Sequence, residues 1–345
     1  MTPMAAPEAR IPITVLTGFL GAGKTTLLRN LLRDPRYADS AVIVNEFGEV
    51  PLDHELVAAG DETFLSVATG CLCCVVRTDL TRTLASLARR REAGEVPRYG
   101  RVLIETSGLA DPAPILHALL LDDTVAATHR LQGVATLVDS QHGATALERH
   151  PEAQRQAMLA DRLVLSKADL VPETTVLEAR LRALNPTAPI RAAAQGEVPP
   201  EWLFAQGAHA TDPEALAAWL EAMGRAARHS TGVTAIVLER EAPIPAAALT
   251  LWMQALAEHA GARLLRLKGL VAIAEAPERP AAIHAIQHVV HPLEALEAWP
   301  SADRRSRIVL IGQGIPRHWP ARLLAAIEAE VAEETARRTG WSATA

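Results

Sequence analysis

The sequence predicts an α/β protein in two parts. The first is a domain built on a mostly parallel sheet flanked by helices, and the second is a smaller α+β domain. Three observations predict this. Short β-branched strands alternate with amphipathic helices through the first half, the pattern of parallel strands joined by crossover helices. A strand, a glycine-rich turn and a leucine-periodic helix follow one another at residues 11–34. Composition then breaks at residues 195–231, where Gly196, Pro199, Pro200, Gly207 and Pro213 gather before a second pattern of strands and helices begins.

The elements follow in order. MTPMAAPEAR (1–10) reads as a disordered N-terminus; it lacks the basic start and apolar stretch of a secretory signal. IPITVLTG opens the first strand, and leucines at helical spacing carry the helix after the turn. AVIVNEF (41–47) is a second strand, and residues 48–70 are mixed and turn-prone. TRTLASLARRREA (81–93) is a helix with arginines at its C-terminal end, where cations suit the dipole. RVLIETSG (101–108) is a buried strand, PAPILHALL (112–120) a helix, LQGVATLVDS (131–140) a strand, PEAQRQAMLA (151–160) a helix and DRLVLSKADL (161–170) a strand leading into a loop. Residues 11–194 therefore form the first domain, and 195–231, with an alanine-rich helix around Trp219, a connection. In 232–345, GVTAIVLERE is a strand, 245–260 a helix, 262–274, 282–290 and 306–312 strands, and 320–338 a closing helix.

Composition narrows the class. The 345 residues are 49% apolar and 21% charged, values of a globular chain with a sizeable core. Net charge is −6, so there is no global basic field for nucleic acid and no polybasic membrane patch. No apolar run approaches the ~18 residues of a membrane span, and the expected location is the cytoplasm. Only three of the 34 basic residues are lysine, Lys24, Lys167 and Lys268. All three cysteines, Cys71, Cys73 and Cys74, fall within four residues, which random scatter would produce roughly once in 10⁴ sequences.

Gly18 to Thr25 (GFLGAGKT) fit G-x-x-x-x-G-K-[ST], after a strand and opening a helix, the context that confirms a phosphate loop. Backbone N–H groups of Gly21, Ala22 and Gly23 turn inward around phosphates, Lys24 reaches the β- and γ-phosphates, and the Thr25 hydroxyl ligates Mg²⁺. Thr26 follows on the first helical turn. This makes the first domain a P-loop NTPase domain. Glu105, ending the strand RVLI, is placed to serve the Mg²⁺ shell, and Gly108 permits close approach to a γ-phosphate. Ser166-Lys167-Ala168-Asp169 looks like the [NST]-K-x-D motif of GTPases, with Ser166 where many carry asparagine. A carboxylate such as Asp169 accepts both N1–H and N2–H of guanine, a donor pair adenine lacks. Lys24, Thr25 and Glu105 are the catalytic candidates.

Cys71, Cys73 and Cys74 permit a C-x-x-C redox pair, buried inert thiols, or a soft metal site; clustering in a cytosolic protein favours metal. Three thiolates leave room for a nitrogen or oxygen donor, and Glu46 and Glu49 in NEFGEV are candidates. His284, His288 and His291 would share a face if 282–290 were helical. Read as a strand, only His284 and His288 share one, and surface histidines are the expectation.

Taken together, GFLGAGKTTLL (18–28), NEFGEV (45–50), TGCLCC (69–74), ETSGLADP (105–112) and ADRLVLSKADL (160–170) resemble the CobW-type GTPases, a family of metallochaperones. LLRLKG (264–269), AWP (298–300) and DRRSRIVLIG (303–312) resemble that family's second domain. The resemblance implies that GTP or GDP with Mg²⁺ occupies the phosphate loop, Ser166, Lys167 and Asp169. It implies that Cys71, Cys73 and Cys74, with Glu49 or Glu46, bind Zn²⁺ or Co²⁺. It further implies GTP-driven metal transfer to a client metalloprotein, with a metal- or nucleotide-dependent homodimer as one assembly. The alternative is a nucleotide-gated scaffold that docks on an apo-metalloenzyme without delivering metal. No arginine or glutamine identifies itself as the group orienting the attacking water, so slow intrinsic turnover is expected.

Overall fold

A computed structural model describes residues 10–37, 39–46, 64–68, 75–185, 188–204, 217, 220, 234–290 and 293–342. The chain divides into two compact units, Met1–Ala210 and Thr211–Ala345.

The first unit alternates as expected. Its elements are β1 (Ile11–Gly18), α1 (Lys24–Arg33), β2 (Ser40–Glu46), β3 (Phe64–Ala68), α2 (Val75–Glu92), β4 (Arg101–Thr106), α3 (Ala113–Leu121), α4 (Asp123–Thr128), β5 (His129–Asp139), α5 (Gly143–Arg149), α6 (Pro151–Leu159), β6 (Arg162–Ser166), α7 (Thr175–Leu184), β7 (Ile190–Ala192) and α8 (Pro200–Leu203). The seven strands form one sheet in the order β3-β2-β4-β1-β5-β6-β7, and every pairing is parallel. Burial on both faces explains why apolar residues run together in VLI (102–104) and dominate VATLV (134–138).

Alternate residues of each strand serve opposite faces. Leu16, Leu103, Leu137 and Val164 pack with Leu27, Leu28 and Leu31 of α1 on one side. Val138, Leu163 and Leu165 pack with Leu147, Ala157, Leu177 and Leu181 of α5, α6 and α7 on the other. Val198, Leu203 and Phe204, from the proline-rich stretch read as a connection, complete the α1 side. Tyr37 meets Phe204 at 5.0 Å between ring centroids, and the Arg101 guanidinium lies 4.5 Å from the Tyr37 ring. A buried aromatic pair with a stacked guanidinium contributes beyond its area, which fastens α8 to the start of β4.

The second unit contains β8 (Thr234–Arg240), α9 (Ala246–Ala260), β9 (Leu264–Ala272), β10 (Pro280–Ile286), β11 (Val289–Val290), β12 (Glu294–Ala295), β13 (Ser306–Gly312) and α10 (Trp319–Ser342). Its six-stranded sheet runs β11-β10-β9-β13-β8, with β12 also on β10, and the pairings are antiparallel. Trp252, Leu256, Leu267, Val271, Ile283, Leu310 and Leu324 form its core. Fully buried Trp252 donates its indole N–H to the Pro320 carbonyl at 2.8 Å, so α9 is tied to the start of α10 by a satisfied polar contact inside an aliphatic core.

The expectation of one strand over 282–290 is corrected here. Ala285 pairs with Val290 and Ile286 with Val289, so Gln287 and His288 are the turn of a hairpin. Gln287 takes φ +51°, the positive φ that a two-residue hairpin turn demands. His284 lies in β10 and His288 in the turn, so they do not share a strand face. His291 lies outside the described residues. Among those described, no three His, Cys, Asp or Glu side chains group to hold a metal ion.

Candidate nucleotide site

The phosphate loop leaves β1 at the centre of the sheet. Gly18 adopts φ +147°, and a Cβ there would stand 2.4 Å from the Leu137 carbonyl oxygen on β5, so the strand can sit this close only without a side chain. Gly21 and Gly23 take φ +73° and +86°, the left-handed region that turns successive N–H groups inward. Gly23 precedes α1, and no side chain caps that helix. Its first-turn N–H groups are thus open to an anion, which the dipole favours. Lys24 is 9% exposed; its Nζ donates to the Gly18 carbonyl at 2.8 Å and reaches the Phe19 carbonyl at 3.4 Å. The ammonium therefore folds over the loop and holds its curvature.

The neighbouring strands supply the rest. Leu16 pairs with Glu105, which brings β4's acidic end beside the loop. Thr25 Oγ1 donates to Glu105 Oε1 at 2.8 Å, and Thr106 Oγ1 donates to Thr17 Oγ1 at 2.8 Å. A hydroxyl and a carboxylate 2.8 Å apart are hard oxygen donors of the kind Mg²⁺ takes alongside nucleotide phosphates, so the residues fit that cation. A Cβ on Gly108 would lie 2.8 Å from Leu20 N and Cα; the loop after β4 therefore touches the phosphate loop backbone to backbone.

Gln156 was not legible as a site residue. It is fully buried on α6, and its amide donates to the Gly108 carbonyl at 3.2 Å and the Ala110 carbonyl at 2.9 Å. Arg155 pairs with Asp111 at 2.9 Å. These contacts fix the 108–111 turn to α6. A cavity of about 240 Å³ borders the phosphate loop, with Asp139 and Gln156 among its walls, and the Phe19 ring stacks on His150 at 4.5 Å.

The base motif lies two strands away. Ser166 is buried and ends β6. Lys167 adopts φ +55° and ψ +33°, and exposed Asp169 sits in the short 3₁₀ turn that follows. Ala168 N–H donates to the Ala193 carbonyl at 3.1 Å, and Asn30 of α1 donates to the Gln195 carbonyl at 2.8 Å. The loops after β6 and β7 are thereby stitched to each other and to α1, beside the C-terminal ends of the strands, where open α/β sheets bind ligands.

Cys71, Cys73, Cys74 and Glu49 lie outside the described residues. Glu46 is the last residue of β2, paired with Ala68 at the end of β3; its side chain is outside them too. α2 starts at Val75, directly after the cysteines in sequence.

Comparisons with known proteins bear on the family and the fold. Residues 12–192 match the model of the CobW/HypB/UreG nucleotide-binding domain, and 233–328 match the cobalamin synthesis protein cobW C-terminal domain. The chain is 31% identical to the zinc chaperone YjiA of Escherichia coli, over 89% of this chain and 95% of that protein. It is 33% identical to the zinc-regulated GTPase metalloprotein activator 1 of Schizosaccharomyces pombe, over 47% of this chain and 40% of that one. The crystal structure of Zn(II)-bound YjiA from E. coli superposes with a TM-score of 0.67 at 27% identity, covering 92% of this chain and 99% of that one.

Proposed function

This chain belongs to the CobW/HypB/UreG family of P-loop GTPases, and on that premise we propose that it is a GTP-dependent metallochaperone whose cargo is a transition metal, zinc first and cobalt second. Cys71, Cys73 and Cys74 are the thiolate donors, with Glu49 or Glu46 as the oxygen donor, and a client metalloprotein receives the ion. Relatives named zinc chaperone and zinc-regulated GTPase metalloprotein activator support the choice of zinc.

The nucleotide half of the cycle follows from the residues described above. Gly21, Ala22, Gly23 and the first turn of α1 present N–H groups to the phosphates. The Lys24 ammonium, already inside the loop, exchanges carbonyl partners for phosphate oxygens. Thr25 and Glu105 would hold Mg²⁺, which when bound neutralises charge on the β- and γ-phosphates. Asp169 accepts the two guanine donors while the Lys167 stem lies along the base.

One observation carries the coupling. β2, whose end leads towards Glu49, lies between β3, whose end leads towards the cysteines, and β4, which bears Glu105 and leads to Gly108. A γ-phosphate that draws Gly108 inward therefore acts on β4, which adjoins β2 and through it β3, and its loss releases the segments that follow them. Linkage requires metal and nucleotide to shift each other's affinity by the same factor. The test is Zn²⁺ affinity of the purified chain with GDP and with a non-hydrolysable GTP analogue. We expect a difference of about 10-fold or more, within the range of such couplings; equal affinities refute gating. Cys73→Ser is expected to abolish stoichiometric zinc and with it metal transfer; a variant that has lost zinc yet still binds its client intact would favour the scaffold alternative.

A further inference from the structure

Asp139 ends β5 and has no part in the phosphate or base motifs, yet four contacts converge on its carboxylate. It is 8% exposed. Oδ2 accepts from Lys167 Nζ at 2.8 Å and faces His142 Nδ1 at 3.4 Å. Oδ1 accepts the Gln141 N–H at 2.8 Å and the His142 N–H at 3.4 Å. Asp139 also pairs in register with Ser166, so the strand ends themselves set this geometry. Burial pushes its carboxyl up, but the Lys167 ammonium and the Gln141 N–H outweigh that and hold it below the usual carboxylate range.

We infer that Asp139 is a positioning residue for the base site, anchoring the Lys167 ammonium so that the lysine stem is already laid out when guanine arrives. Two features support a role beyond capping a turn. The two oxygens divide their work: Oδ1 serves the turn at 141–142, and Oδ2 serves Lys167. In addition, Lys167 departs from β6 through a left-handed backbone conformation, uncommon for a side-chain-bearing residue, which turns the side chain back towards β5. A four-carbon stem has much rotational freedom to lose; fixing it in advance spares the ligand that cost, the general source of gain from preorganisation.

The inference rests on Lys167 being a base-site residue, and the test separates the two. GDP and inorganic pyrophosphate affinities of the full chain are measured for Asp139→Asn, Lys167→Ala and the double variant. Asparagine keeps an oxygen for the 141–142 turn and removes the charge. Asp139→Asn is expected to weaken GDP about 10-fold and to leave pyrophosphate within about twofold, because the phosphate loop is untouched. Added to Lys167→Ala, it should cost less than about twofold more, since residues acting through one contact are not additive. If Asp139→Asn costs the same factor with and without Lys167, or weakens pyrophosphate as much as GDP, Asp139 is a turn cap and the inference fails. If Lys167→Ala binds GDP like the parent, the base-site reading itself fails. Should Asp139→Asn not fold, Asp139→Ser offers the turn a shorter, uncharged hydroxyl acceptor and is scored identically.

Discussion

Gly108→Ala is a one-carbon perturbation whose effect the geometry sets. The new Cβ would stand 2.8 Å from Leu20 N, Cα and Cδ2. Ordinary contact for such a pair begins near 3.4 Å, so the two backbones must part by about 0.6 Å, and only Cδ2 belongs to a side chain that can turn away. Gln156 holds the 108 and 110 carbonyls from behind, so Gly108 cannot retreat freely and the phosphate loop takes the displacement. Misplacement approaching 1 Å costs about 100-fold in a positioned reaction; at 0.6 Å we expect a loss of roughly 10- to 100-fold in the hydrolytic step. Overpacking of this kind costs about 1–3 kcal/mol of stability, small enough to leave a folded chain. The assay is single-turnover GTP hydrolysis, with GDP affinity measured in parallel. We expect the rate to fall much further than GDP binding, because in the proposed site Gly108 would face the γ-phosphate. A variant that hydrolyses GTP at the parent rate would show that the loop after β4 does not bear on the reacting phosphate.

Asp169→Asn replaces an acceptor-only carboxylate by an amide that can donate. It should weaken GDP on the order of 100-fold, one charge-assisted hydrogen bond being lost to a donor–donor clash and the other made neutral, and should raise affinity for xanthosine diphosphate, whose 2-oxo group accepts; unchanged GDP binding would remove Asp169 from the base site. His129, on the first position of β5, is 1% exposed, and burial, with the nearby Arg91 cation, pulls its pKa from 6.5 to about 4. The unfolded chain then binds a proton that the folded chain refuses between those values, so stability is fully present above about pH 6.5 and is lost as pH falls towards 4, by up to about 3 kcal/mol. The full chain's urea midpoint should drop accordingly between pH 7 and 4.5, and His129→Gln should flatten that drop; an equal drop in the variant refutes the assignment.

What the sequence discloses depends on how local the cause is. The phosphate loop is legible because Gly21 and Gly23 are required by backbone angles and Lys24 and Thr25 by adjacent chemistry. β3 is missed because the five residues Phe64–Ala68 lie inside a stretch that reads as turn-prone, and their strand status depends on pairing with β2. The hairpin at 287–288 is missed because Gln-His replaces the Asn or Gly that usually announces such a turn. Leu203 and Phe204 are hidden by the prolines beside them, though they fill the core under α1. Gln156 and Asp139 are illegible for a different reason: each acts on groups from another strand or loop, 46 residues away for the Gln156–Ala110 contact and 28 for Asp139–Lys167. Only the parallel order of the strands brings them together.

That strand order also sets the sequence of events during synthesis. β1 sits between β4 and β5, and the base loop follows β6. The three cysteines leave the ribosome by residue 74, whereas the last residue of β6 is Ser166, 92 positions later. At about 5–20 residues per second, the thiols precede the nucleotide site by roughly 5–20 s. On the proposed function, a nascent chain would thus offer soft metal donors before any guanine nucleotide could govern them, and ions captured in that interval would come under nucleotide control only when the sheet closes around β1.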